Sequence, residues 1–285
     1  MTYARDRLLR GALLANAAFS TLTGAASLLA AEPIGALTGL PSVALRVVGA
    51  ALLPFAAGLI FLATRRRIDG RLALGASLAD FGWVLGTPVV LALVPVSSAG
   101  AALLGAIAVA VAVFGALQLV GLRRTVRSDG GGPRTVLVAS RVVDVSPERA
   151  WEVVSDLAGY AEVAPNLSFS RVIGEDTRRA GLERECGDHR GGRWRETCTL
   201  WDEGRAYGFR VHTDAPDYPY PFRELEGRWA VERAEGGARV GMRFAASMPG
   251  GWLGDLMLAA VLAPRFEQVL DDLFDNWETR MRGGA

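Results

Sequence analysis

Four apolar stretches in the first 127 residues constrain this chain more than anything else in it. Crossing a hydrocarbon core about 30 Å thick takes roughly 17–25 mostly apolar residues in a helix. Residues 11–31, 47–64, 72–93 and 97–122 all meet that length, and Asp80 is the only ionisable residue inside them. A cleavable signal peptide is the alternative for the first stretch. Its apolar run is longer than an ordinary signal core, and three more stretches follow it. The expectation is an all-α, four-helix transmembrane bundle over residues 1–127.

Arginine placement predicts orientation. Arg5, Arg7 and Arg10 precede the first stretch, Arg65, Arg66, Arg67 and Arg71 separate the second from the third, and Arg123, Arg124 and Arg127 follow the fourth. The other two connections carry Arg46 and no basic residue, respectively. Three basic clusters on one side predict a multi-pass protein of a bacterial plasma membrane, with both termini and the second half cytoplasmic. The bacterial assignment rests on composition alone: all 31 basic residues are arginine. Without lysine there is no Schiff-base chemistry and no lysine nucleophile.

The helical half holds no histidine or cysteine, which removes histidine-ligated haem and soft-metal sites from it. An acid near mid-bilayer marks a functional site by default. For Asp80 the competing reading is helix glue, hydrogen-bonded to Asn16 or Thr87. Pro54 and Pro88 are expected to kink their helices. Gly11 with Ala15, Gly75 with Ala79 and Ala101 with Gly105 have the small-residue spacing of close helix packing.

A Ser-Asp-Gly-Gly-Gly-Pro linker at 128–133 separates this half from a second domain, 134–285. Beyond Arg127 there are 20 arginines and 26 acids, a poor balance for nucleic-acid binding. Residues 134–145 read as a strand. Ser146-Pro147-Glu148 opens a helix with an N-cap, a first-turn proline and an acid. A short helix is expected over 160–163, stopped by Pro165. Alternating segments at 168–173, 182–186, 194–201, 207–213, 223–232 and 239–246 read as strands. Residues 252–281 repeat Leu253, Leu256, Met257, Ala260, Val261, Val269, Leu270, Leu273, Phe274 and Trp277 as one helical stripe, bent at Pro264.

The run Val-Asp-Val-Ser-Pro-Glu-Arg-Ala-Trp-Glu-Val-Val-Ser-Asp over 143–156, leading into Tyr160, resembles the START-like, or SRPBCC, superfamily. The element order and closing helix point to its polyketide cyclase/dehydrase and lipid-transport branch. The resemblance covers 134–281 and implies an α+β helix-grip fold: a curved antiparallel sheet around a long C-terminal helix, with an apolar cavity between them. The helical half is loosely similar to small DoxX-like bacterial membrane proteins.

Alternation along the strands turns Trp194, Cys198, Tyr207, Phe209, Trp229, Met242 and Phe244 toward that helix, with Leu200, Val211, Leu225, Val231 and Val240. With Leu256 and Ala260 on the helix they are either plain core or the cavity that the resemblance implies. Glu196 shares the inward register, and Arg184 faces it from the next strand. They read as a structural ion pair or as a polar group that orients a ligand. Cys186 and Cys198 are expected roughly opposite each other on a hairpin and reduced. With His189 they lack a fourth zinc ligand, and His212 should face outward, so no metal and no cofactor are expected. Residues 214–222 form a proline- and aromatic-rich loop. It is either a lid over the cavity or a membrane-contacting tip built on Tyr218, Tyr220 and Phe222.

Three functions remain open. The first is a membrane-tethered module binding or transferring a hydrophobic small molecule or lipid. The second is a cyclase or dehydratase acting on such a ligand, with Glu196 as acid/base and Tyr207 as helper. The third is a membrane-anchored regulatory protein that binds a protein partner.

Overall fold

The structure is a computed structural model that describes residues 6–65, 67–126 and 135–283. The expected linker at 128–133, and Arg5, Arg66 and Arg127 of the basic clusters, lie outside the described residues. The chain divides between Thr125 and Val126 into two compact units.

The first unit contains α1 (Arg7–Leu29), α2 (Ala31–Thr38), α3 (Ser42–Thr64), α4 (Gly70–Leu93) and α5 (Ser98–Thr125). All but α2 are long and apolar enough to cross a membrane. Helix α4 starts where the Asp69 carboxylate accepts the backbone N–H groups of Arg71 and Leu72. Helices α3 and α4 run on through Pro54 and Pro88. The short α2 is an element the sequence reading lacked. It ends at Gly39 with φ 78°, and its Thr38 carbonyl accepts the N–H of Ser97 at 2.9 Å. A Cβ on Gly100 would lie 2.3 Å from that carbonyl, so only glycine fits there.

Close packing does not use the glycines expected for it. Gly11, Gly75 and Gly105 face open space. Helix α1 instead meets α3 at Gly24 and Gly49, where an added Cβ on Gly49 would sit 2.7 Å from the Gly24 carbonyl. Gly121 of α5 meets the backbone of Leu9 in the same way. Leu22, Leu29, Leu85 and Leu93 are among the large apolar side chains left outside. Such a surface suits a lipid solvent and not water.

The second unit begins with β1 (Thr135–Val143), α6 (Pro147–Val154) and α7 (Tyr160–Val163). Strands β2 (Leu167–Ile173), β3 (Glu183–Asp188), β4 (Arg193–Asp202), β5 (Ala206–Val211), β6 (Glu224–Ala234) and β7 (Gly237–Ser247) follow. They form one sheet in the order β1-β7-β6-β5-β4-β3-β2, antiparallel throughout. Ser146 caps α6, its Oγ accepting the N–H of Arg149 at 3.1 Å. Alternate positions along β6 and β7 are buried, as is all of β5 except Arg210, and Leu270, Leu273, Phe274 and Trp277 of the closing helix are buried with them. This is the helix-grip arrangement.

The closing helix is not one stripe. It consists of α8 (Trp252–Met257), a wide π turn over Leu258–Leu262, and α9 (Ala263–Arg282). The interruption directly precedes Pro264 in the first turn of α9, where the wide turn accommodates a ring that cannot donate to the turn before it. The π turn changes the helical phase, so Leu253 and Met257 are exposed while Leu256 and Ala260 are buried.

Candidate functional site

Sheet register sets the polar centre of the second unit. Arg184 of β3 is paired with Glu196 of β4. Arg184 Nε and Nη2 donate to Glu196 Oε2 at 3.2 and 2.5 Å, and Trp194 Nε1 donates to Glu196 Oε1 at 2.7 Å. Both charges are almost completely buried. The guanidinium lies 4.3 Å from the ring centre of Phe209 and 5.1 Å from that of Tyr160. Aromatic faces thus supply part of what water would have supplied to the cation. Nε and Nη2 form one edge of the guanidinium, so Nη1 points away from Glu196, and Nη1 has no hydrogen-bond partner among the described residues.

Glu196 is poorly placed for acid/base work. Three N–H donors already occupy its two oxygens, leaving little room for a substrate proton. Tyr207 is likewise committed, its hydroxyl donating to the Val154 carbonyl at 2.8 Å. Burial, followed by the nearby Tyr160 hydroxyl, pushes the Tyr207 pKa well above its usual value.

The cysteines are not opposite each other. Cys186 pairs with Trp194 across β3 and β4, and Cys198 pairs with Phe209 across β4 and β5. Both are free and buried. Burial pushes the Cys186 thiol up to about 12 despite the adjacent Arg184, so it stays protonated and unreactive. His212 shares a 2.7 Å hydrogen bond with Thr197.

Around the ion pair the interior is aromatic and closely packed. Tyr207 stacks on Trp229 with ring centres 5.0 Å apart and on Trp201 at 5.5 Å. Trp229 Nε1 donates to the Tyr160 hydroxyl at 3.1 Å, and Tyr160 meets Trp277 edge-on. Phe244 joins Trp229 to Phe266. Cys198, Met242, Leu256 and Ala260 are buried, whereas Trp194 is only half-buried. Trp201, Tyr160, Trp277 and Phe266 were not among the expected cavity residues. Trp201 enters because β4 bulges between Cys198 and Leu200, which breaks strict alternation.

The connection from β5 to β6 packs against one end of this interior. Tyr218 and Phe222 turn inward and are half-buried, so neither forms an exposed membrane tip. Tyr220 is the more exposed of the three, and its hydroxyl donates to the Asp188 carboxylate. That bond holds the Asp188 pKa below the usual carboxylate range. Tyr220 also packs edge-on to Trp194 and Tyr218. Among the described residues the buried Tyr218 hydroxyl has no partner, nor has Trp277 Nε1. Phe222, Leu225 and Leu262 pack on Ala246, Met248 and Leu258 at the same end.

In the first unit Asp80 is the centre of a buried network. Its carboxylate accepts from Asn16 Nδ2 at 2.8 Å and from Gln118 Nε2 at 2.9 Å. Ser20 donates to the Asn16 amide oxygen and Ser77 to that of Gln118. Thr87, the other expected partner, bonds instead to the Trp83 carbonyl within its own helix. The network joins α1, α4 and α5.

No curated protein matches this chain. Among solved structures, protein TTHA0849 of Thermus thermophilus is similar at 19% identity and a TM-score of 0.43, over 53% of this chain and 99% of its own. The Zhui aromatase/cyclase of Streptomyces sp. R1128 is similar at 13% identity and a TM-score of 0.41, over 53% of this chain and 99% of its own. A START superfamily protein of Mycobacterium smegmatis gives 14% identity and a TM-score of 0.40, again over 53% and 99%. The family model for polyketide cyclase/dehydrase and lipid transport matches residues 134–278, just over half of the chain. With that match, on a second unit built as a sheet gripping its closing helix, the chain belongs to the polyketide cyclase/dehydrase and lipid transport family.

Proposed function

We propose that the second unit binds a hydrophobic molecule bearing a hydrogen-bond acceptor and exchanges it with the bilayer that the four helices cross. The observation carrying this reading is Arg184: a buried guanidinium, neutralised by Glu196, with one nitrogen unpartnered among aromatic rings. Leaving a buried donor unpaired costs about 1–3 kcal/mol, which an acceptor on a ligand would restore. The Tyr218 hydroxyl and Trp277 Nε1 are unpartnered in the same way. Because the Arg184–Glu196 pair is neutral overall, a carbonyl or hydroxyl oxygen suits it better than a second carboxylate. The engaged state of Glu196 and Tyr207 favours binding and transfer over catalysis.

The arginine clusters at Arg7 and Arg10, at Arg65 to Arg71, and at Arg123 and Arg124 support a cytoplasmic second unit in a bacterial plasma membrane. The tight interior favours one alternative, a regulatory protein that uses its outer surface to bind a partner. Native mass spectrometry of detergent-purified full-length protein, with analysis of co-purifying lipids, separates the two. A single hydrophobic species that disappears on deletion of residues 134–285 is the expected result. Bulk phospholipid retained equally by both forms would overturn the binding reading.

A further inference from the structure

The attachment to the membrane unit and helix α8 leave the sheet at the same end. Thr135, the first residue of β1, pairs with Ala246 near the end of β7. Strand β7 ends at Ser247, and α8 begins at Trp252. Thr135 lies ten residues beyond the end of α5 at Thr125, which at ~3.3–3.6 Å per residue reaches at most about 36 Å. That end of the sheet is the one tethered to the four apolar helices. The loop carrying Tyr218 and Phe222 belongs to it too, since Glu224 at the start of β6 pairs with Ser247.

Helix α8 presents an apolar side that nothing among the described residues covers. Trp252 is 41% exposed, Leu253 68% and Met257 54%, next to exposed Pro249, Gly250 and Gly251. No charge interrupts this surface between Pro249 and Leu253. Gly250 and Gly251 have φ of 85° and 54°, so the turn that projects α8 depends on them. Exposed Arg223 precedes β6, its backbone N–H bonded to the Ser247 carbonyl, exposed Arg265 lies in the first turn of α9, and half-buried Asp255 is the one acid on α8. An apolar side led by tryptophan matches the headgroup–acyl boundary of a bilayer.

We infer that α8 is a lipid-contacting element. Trp252, Leu253 and Met257 lie in the boundary region of the bilayer. The inference rests on the four helices spanning a bilayer and is independent of whether any ligand is bound.

The test uses full-length protein in phospholipid nanodiscs, one molecule per disc. An environment-sensitive nitrobenzoxadiazole dye is placed on Leu253→Cys or on Glu235→Cys, an exposed site at the opposite end of β7. Label on the parent protein, whose two cysteines are buried, gives the background. With lipids carrying a spin label near the top of the acyl chain, the dye at 253 should be quenched at least about twofold more than the dye at 235. Equal quenching at the two sites would overturn the inference. So would a blue-shifted but unquenched dye at 253, which would mean that protein, from a partner or a second copy, covers α8. Because no ligand is read out, an empty interior in native mass spectrometry leaves this result unaffected.

Discussion

Arg184 and Glu196 are an expensive pair to bury, and each stabilises the fold only while the other is present. Replacing Glu196 alone by leucine should cost about 3–5 kcal/mol, because it strands a buried cation. Adding Arg184→Met should recover most of that loss, since two well-packed apolar residues need no pairing. Denaturant midpoints of the full-length protein and both variants check this. The double variant also tests the ligand: it should stay folded yet lose any co-purifying hydrophobic species. If it keeps that species, the unpartnered nitrogen of Arg184 is not the anchor. At this scale the sequence was informative where strict alternation holds, so Glu196 and Arg184 could be aligned from their apolar neighbours. It was silent about Trp201, because one bulged residue in β4 reverses the facing of the residues beyond it.

Helices and strands were legible to different depths. Strand positions follow from alternation punctuated by turns, and all seven lie within a few residues of the expected segments. Helix α2 lies in a connection where no element was expected: at eight residues it is too short to register as an apolar span, and Pro33 sits in its first turn. Partners across the bundle were the least legible. Which residue reaches Asp80 depends on how α5 packs, and that brings Gln118 to it and leaves Thr87 within its own helix. The same limit applies to glycine. Spacing singled out Gly75, which faces open space, whereas Gly49 lies against the α1 backbone. Gly49→Ala should therefore lower the thermal stability of the detergent-solubilised protein by about 1–3 kcal/mol through overpacking. Gly75→Ala should be neutral or raise it by up to about 1 kcal/mol, because alanine is the better helix former. Equal effects at the two positions would rule out the packing of α1 on α3.

For the molecule as a whole, the two units make different demands on solvent. One leaves leucine and valine outward, whereas the other has a largely polar exterior broken by the apolar side of α8. Composition revealed that division, since the charge count changes sign near residue 127. The direction in which α8 faces was not legible, because it is set by the π turn at Leu258–Leu262. Such a turn is geometrically one residue inserted into an α-helix, and each α-helical residue advances the helix by about 100°. Removing one residue from this turn should let the helix close into regular α form and rotate α8 by about 100° relative to α9. The dye at position 253 would then report a different environment while the sheet melts as before; an unchanged signal would mean that the turn does not set the heading of α8. The π turn thus behaves like the notch of a dial: a length change of a single residue decides which side of the helix meets the membrane and which meets the core.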